Sequence, residues 1–187
     1  TEYYEMASLE RINLEDLGLT GPFPDFSAMP NLQVLRIGGN NFDEGPLPDY
    51  IYTKTTLGDL RLNGCKLTGE LTDDIGALAN LRTLQLQDNA FTGPLPAGLS
   101  QLANVQVLNL ENNGLTGQLP VLAGMQNLRV LGFSDNALSG DIPNFALFPF
   151  LERIELRDCG LAGNLGNEFA GLTQMSTYNS APLLDPS

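Results

Sequence analysis

Leu81-x-x-Leu84-x-Leu86-x-x-Asn89-x-Phe91-Thr92-Gly93-Pro94-Leu95-Pro96 is the stretch that decides the fold. Leu84 and Leu86 alternate with polar Thr83, Gln85 and Gln87, a period of two that makes a short strand with one buried face. The same pattern begins at Leu9, Leu32, Leu57, Leu81, Val105, Leu128 and Leu151, at spacings of 23, 25, 24, 24, 23 and 23 residues. A fixed period of this length marks a solenoid, in which no unit buries its own apolar side and each is completed by its neighbours. Strands from successive units are expected to pair in parallel and to line one side of the array.

Each unit continues through a turn into a second motif. It reads Leu19-Thr20-Gly21-Pro22-Phe23-Pro24, Leu67-Thr68-Gly69-Glu70-Leu71, Leu115-Thr116-Gly117-Gln118-Leu119-Pro120 and Leu138-Ser139-Gly140-Asp141-Ile142-Pro143. Glycine permits the bend, and proline confines pairing there to short extended pieces. The return path, such as Gly98-Leu99-Ser100-Gln101-Leu102-Ala103-Asn104, spaces its apolar residues three apart, which predicts one helical or 3₁₀ turn. Phe145 and Phe148 fill the same two slots and are expected in the core. The second unit is irregular: Phe42-Asp43-Glu44-Gly45 holds one residue more than the usual Leu-Thr-Gly, Lys54 takes a core leucine's place, and Tyr50 and Tyr52 either lie exposed on the outer side or snorkel from a locally rearranged loop.

On these residues the chain resembles the plant-specific class of leucine-rich repeats, with related segments in algal, protist and bacterial surface proteins. That class builds the ectodomains of plant receptor kinases, receptor-like proteins and polygalacturonase inhibitors. The resemblance implies an α/β solenoid: a right-handed superhelix with a parallel concave β-sheet, short second strands, and 3₁₀ or helical turns on the convex side. It spans 1–187 as one domain, with 1–8 as an N-terminal cap (Tyr3, Tyr4 and Met6 covering the core), 9–174 as seven repeats, and 175–187 as a C-terminal cap and tail. The chain has neither the paired cap cysteines of the plant members nor an Asn-x-Ser/Thr sequon. The two arginines spaced i, i+2 with which plant peptide receptors hold a terminal carboxylate are not reproduced, because Glu155 lies between Arg153 and Arg157.

Composition narrows the function. Nine basic residues stand against 22 acidic ones, a net charge of −13, with no histidine. Nucleic acid and anionic membrane both require a cationic surface, so neither is an expected partner. The acidity serves solubility or attracts basic ligands. No apolar run approaches the roughly 20 residues of a transmembrane helix. The chain opens at Thr1, and the expectation is a mature or excised segment. Cys65 and Cys159 both replace the turn asparagine of other repeats, four repeats apart. Strand spacing separates them by roughly 19 Å, beyond the reach of a disulfide. They are expected as buried thiols.

No constellation for catalysis is legible: there is no histidine base, no phosphate loop and no cysteine outside the buried ladder. No enzyme activity, cofactor or metal is expected. The acidic column Asp16, Asp88, Asp135 and Asp158 is interrupted by Gly39, Gly64 and Asn112, and reads as turn or solvated aspartates rather than a Ca²⁺ ladder.

The outward positions of the strands carry the binding expectation. Five of the nine basic residues fall there: Arg11, Arg36, Arg61, Arg153 and Arg157. Arg36 and Arg61 share one column, with Cα atoms about 5 Å apart, so they repel unless an anion compensates them. Asp59 and Glu15 are candidates for that role; a ligand carboxylate or sulfate is the alternative. Gly38, Gly39 and Gly64 beside them suggest a floor free of side chains. The candidate ligand-binding residues are Arg36, Asp59, Arg61, Asn63, Gln85, Gln87, Asn109, Glu111, Arg153 and Arg157. The expected function is a monomeric recognition module, extracellular or at the cell surface, that binds a protein, peptide or glycan through the concave face. Alternatives are a structural spacer within a larger surface protein and, through the Thr20, Thr68, Thr92, Thr116 ladder, ice binding.

Overall fold

A computed structural model describes residues 7–163 and 177–179. Eight three-residue strands form one parallel sheet in sequence order: Arg11–Asn13, Val34–Arg36, Asp59–Arg61, Thr83–Gln85, Val107–Asn109, Val130–Gly132, Arg153–Glu155 and Thr177–Asn179. The last of these extends the sheet beyond the seventh repeat, where Met175–Tyr178 begins like an eighth. The central residue of each strand from Leu35 to Ile154 points inward and is fully buried. Leu32, Leu57, Leu81, Val105, Leu128 and Leu151 stack behind them, also fully buried. The core is therefore one continuous column built from equivalent positions, as a solenoid requires. At the first repeat it is open among the described residues, with Leu9, Leu14 and Leu17 exposed. Tyr3, Tyr4 and Met6, assigned to the cap, lie outside the described residues.

Opposite the long sheet, Gly45–Pro46, Leu67–Glu70, Ala90–Pro94, Gly114–Gln118 and Ala137–Ser139 pair in parallel as a second sheet. Thr20–Gly21 pairs separately with Asn41–Phe42. The break between these two groups falls at Asp43 and Glu44, where the sequence holds its extra residue. Among the described residues, short 3₁₀ turns close four repeats, at Asp49–Thr53, Asp73–Ala77, Ala97–Gln101 and Phe145–Leu147. Phe145 and Phe148 are buried, as their slots demand.

The two sheets differ in register. In the long sheet equivalent residues face each other: Arg36 opposite Arg61, Gln85 opposite Asn109. The second sheet is staggered by two residues at every step, so Thr68 faces Ala90, Thr92 faces Gly114 and Thr116 faces Ala137. Two residues of strand are about 7 Å. The threonines thus run along a diagonal rather than standing opposite one another.

The outward placement of the tyrosines is corrected by the packing. Tyr52 is only 5% exposed, and Tyr50 is half-buried with its hydroxyl donating to the Pro24 carbonyl at 2.6 Å. Lys54, 3% exposed, fills the leucine slot in the same repeat. Its aliphatic stem replaces the leucine, while Nζ donates to the Ser27 carbonyl at 2.9 Å and lies 5.9 Å from the Tyr50 ring centre. Burial pulls this ammonium's pKa down, partly offset by Asp25.

An asparagine ladder fixes the turns. Asn40, Asn89, Asn113 and Asn136 each donate Nδ2 to backbone carbonyls and accept an amide of the preceding repeat. Where Leu17, Cys65 or Cys159 takes that slot, the next residue is left-handed: Gly18 at φ 66°, Lys66 at 58° and Gly160 at 77°. The turn without an amide thus needs a residue tolerant of positive φ, and Lys66 alone of the three is not glycine. Lys66→Gly is expected to raise stability by up to about 1 kcal/mol. A chemical denaturation midpoint at unchanged slope measures it, and a lowered midpoint would refute it. Both thiols are buried and unpaired; burial pushes Cys65 up to about 11 and Cys159 in the same direction.

Candidate functional site

The outward side chains of the long sheet form columns set by its in-step register. One column runs Asn13, Arg36, Arg61, Gln85, Asn109, Gly132 and Glu155. The neighbouring one runs Arg11, Val34, Asp59, Thr83, Val107, Val130 and Arg153. The expected stacking of Arg36 on Arg61 is present, and Asp59 resolves their repulsion. Arg36 donates Nε to Asp59 Oδ2 at 2.9 Å, and Arg61 donates Nε to Oδ1 at 2.9 Å. One carboxylate serves both guanidinium groups and leaves the trio with one net positive charge. Glu15 forms no ion pair with either arginine; its amide donates to Asn13 Oδ1 instead.

The floor expected at Gly38, Gly39 and Gly64 is bare only at Gly64, where a Cβ would meet nothing nearer than Gly39 backbone at 3.8 Å. A Cβ at Gly38 would meet Asn63 Oδ1 at 2.4 Å, and one at Gly39 would meet Asp16 Oδ1 at 2.0 Å. These two side chains fold over the glycines and fill the space. Like Gly64, Gly58 is uncovered: a Cβ there would find only the Asn80 and Gln33 carbonyl oxygens at 3.8 Å. It lies in a groove flanked by Arg11, Arg36, Asp59 and Arg82. Sequence reading missed Arg82 and Gly58 because they precede the strands rather than alternate within them. The signal was available: their positions share a column with Gln33 and Gln106, whose backbones bond across the repeats.

A second groove lies toward the later repeats, lined by Gln87, Glu111 and Arg157 together with Asp88, Asp135 and Glu155. Arg157 pairs with Asp135 at 2.6 Å. Glu111 and Asn109 hold one another: Asn109 Nδ2 donates to Glu111 Oε2 at 2.9 Å, and the Glu111 amide donates to Asn109 Oδ1 at 3.0 Å. Gln87 Oε1 is a buried oxygen with no hydrogen-bond partner. The candidate residues therefore divide. Arg36 and Asp59 belong to the first groove, and Gln87, Glu111 and Arg157 to the second. Arg61, Asn63, Gln85 and Asn109 lie between, and Arg153 is exposed on its strand.

The acidic column has a conformational cause. Asp16, Asp88, Asn112, Asp135 and Asp158 have φ between 47° and 60°, and Gly39 and Gly64 take the same slot at 70° and 59°. Aspartate, asparagine and glycine are the residues that tolerate this left-handed position. No group of three or more metal-binding side chains is gathered among the described residues.

This architecture defines a leucine-rich-repeat module with a polar concave sheet, and comparison with known proteins agrees. A leucine-rich-repeat family model matches residues 80–102 and 104–124. A pollen receptor kinase 3 structure is 32% identical, covering 84% of this chain and 77% of that one, with a TM-score of 0.75. The Arabidopsis receptor kinase HAESA, in complex with the peptide hormone IDA and the co-receptor SERK1, is 29% identical over 96% of this chain and 30% of its own, with a TM-score of 0.87. A plant ice-binding protein is 26% identical over 92% and 64% of the respective chains, with a TM-score of 0.72. The chain belongs to the plant-type leucine-rich-repeat proteins. It spans less than a third of the length of the hormone-receptor ectodomains that it matches.

Proposed function

We propose that the chain is a recognition module, outside the cell or at its surface, that binds a peptide or protein segment through its concave sheet. The observation that carries this reading is the in-step register, which holds charged and amide side chains in fixed outward columns. An extended ligand crossing the strands meets a repeated set of donors and acceptors about 4.8 Å apart, supplied by a scaffold that is already ordered. The peptide hormone bound by HAESA supports the same kind of ligand here. A glycan would use the same amide and carboxylate groups, and the module acts as a monomer.

Peptide display against the immobilised module, followed by titration, tests the reading. A bulky Gln85→Trp change in the middle of the concave face should weaken a recovered ligand at least tenfold. Thr92→Trp on the opposite sheet should leave it unchanged. Loss through Thr92→Trp alone would move the binding face to the opposite sheet, and the absence of any saturable ligand would favour a structural spacer. Ice binding is disfavoured because the threonines stand in a single diagonal file that breaks at Asp43. Thermal hysteresis by the purified module would reverse that judgement.

A further inference from the structure

We propose that the groove flanked by Arg11, Arg36 and Arg82 over the open floor at Gly58 is the docking site for an acidic peptide segment. This rests on the concave-face reading and specifies which part of that face engages which chemistry. Three arginines border the groove, and its one carboxylate, Asp59, is already shared between Arg36 and Arg61. Arg11 and Arg82 are exposed and form no ion pair among the described residues. On a chain of net charge −13 this is a positive surface whose one lining carboxylate is already engaged by Arg36 and Arg61. Arg11 and Arg82 stand at opposite ends of the groove, and their fields add over the floor between them.

Shape and surroundings select the kind of anion. From the Arg11 strand to the Thr83 strand is three steps across the sheet, about 14 Å, the length of roughly four extended residues. Gln33, Asn80 and Gln106 also line it, offering donors and acceptors suited to peptide amides. Guanidinium groups bind carboxylates bidentately, which fits spaced glutamates or aspartates. A long polyanion fits poorly, because beyond the groove it would run over Asp88, Glu111 and Glu155. The sharp local charge favours a short acidic segment.

The test uses a labelled heptapeptide with four glutamates, the same peptide with glutamines, and a sulfated hexasaccharide. Binding is followed by fluorescence anisotropy at low and at moderate salt. Gly58→Glu introduces a carboxylate where a Cβ fits without a clash, and Arg82→Glu reverses an exposed charge; Arg129→Glu makes the same charge change outside the groove. The acidic peptide should bind at least tenfold more tightly than its glutamine counterpart, with affinity falling as salt rises. Gly58→Glu and Arg82→Glu should each weaken it tenfold or more, and Arg129→Glu less than twofold. If Gly58→Glu does not fold, Arg82→Glu against Arg129→Glu decides the matter alone. Equal weakening by Arg129→Glu, equal binding of the glutamine peptide, or tighter binding of the sulfated sugar would each overturn the proposal. A displayed ligand blocked by Gln85→Trp but indifferent to both groove variants would remove this inference and leave the recognition reading intact. Display that yields nothing sensitive to Gln85→Trp would remove the reading itself.

Discussion

Asn89→Ala is expected to lower the stability of the module by about 3–5 kcal/mol, since each buried backbone group left unpaired costs about 1–3 kcal/mol and entering water recovers part of that. The side chain bonds five part-buried backbone groups, of which the Leu86 and Gln87 carbonyls keep a second donor in Asn113 Nδ2 and the Gly64 amide. Asn89 Oδ1 accepts the amides of Cys65 and Leu67 at 3.0 Å each, and Nδ2 donates to the carbonyls of Leu62, Leu86 and Gln87 at 2.9, 3.0 and 3.2 Å. Alanine also invites the turn used where the amide is absent, with a left-handed residue in the next position, and Ala90 is a poor occupant of that conformation. Asn80→Ala is the control: it removes one exposed bond to the Thr55 carbonyl and should cost about 1 kcal/mol or less. Urea denaturation of both variants measures the difference. A loss at Asn89 no larger than that at Asn80 would show that the ladder is dispensable.

Phe91→Ala should likewise cost about 3–5 kcal/mol, the usual result of truncating a fully buried phenylalanine. Phe91 is fully buried in the middle of the array, on the strand Ala90–Pro94 that pairs with Leu67–Glu70 and Gly114–Gln118. In a solenoid the stability of each repeat depends on its neighbours, so a central cavity weakens the coupling between the two halves. Ile12→Ala in the half-buried first strand removes contacts from one terminal repeat only, and should cost about 1 kcal/mol. Broadening or splitting of the thermal transition is expected for Phe91→Ala and not for Ile12→Ala. Single sharp transitions of equal midpoint in both would refute nearest-neighbour coupling as the source of stability.

Much of the fold was legible because a repeat states the same rule many times. Leu84 and Leu86 alternate with polar residues, and that alternation alone places Gln85 and Gln87 on the outside. The in-step parallel sheet, the 3₁₀ return at Ala97–Gln101 and the buried Phe145 and Phe148 follow from period and spacing. The irregular second repeat was legible as irregular but not in its outcome. The sequence put Lys54 in a core leucine's place, but nothing local to Tyr50-Ile51-Tyr52 reveals that both rings turn inward or that the Lys54 ammonium is satisfied by the Ser27 carbonyl, 27 residues away.

The site divides in the same way. Sequence placed Arg36 above Arg61 and supplied Asp59 as a compensating anion, since a shared period fixes which residues are neighbours in a column. It did not decide that Asp59 would take both arginines while Glu15 took neither, because side-chain reach is set by rotamers and packing rather than by spacing. Nor did it distinguish covered glycines from open ones. Gly38 and Gly39 have the same lack of a side chain as Gly58, but Asn63 and Asp16 from adjacent turns lie across the first two and none lies across the third. The period therefore determined the architecture and the columns of this protein. Only the tertiary structure decided which of those columns are filled, which charges are spent on each other, and where the arginine groove remains open, because those outcomes depend on side chains from different repeats competing for the same space.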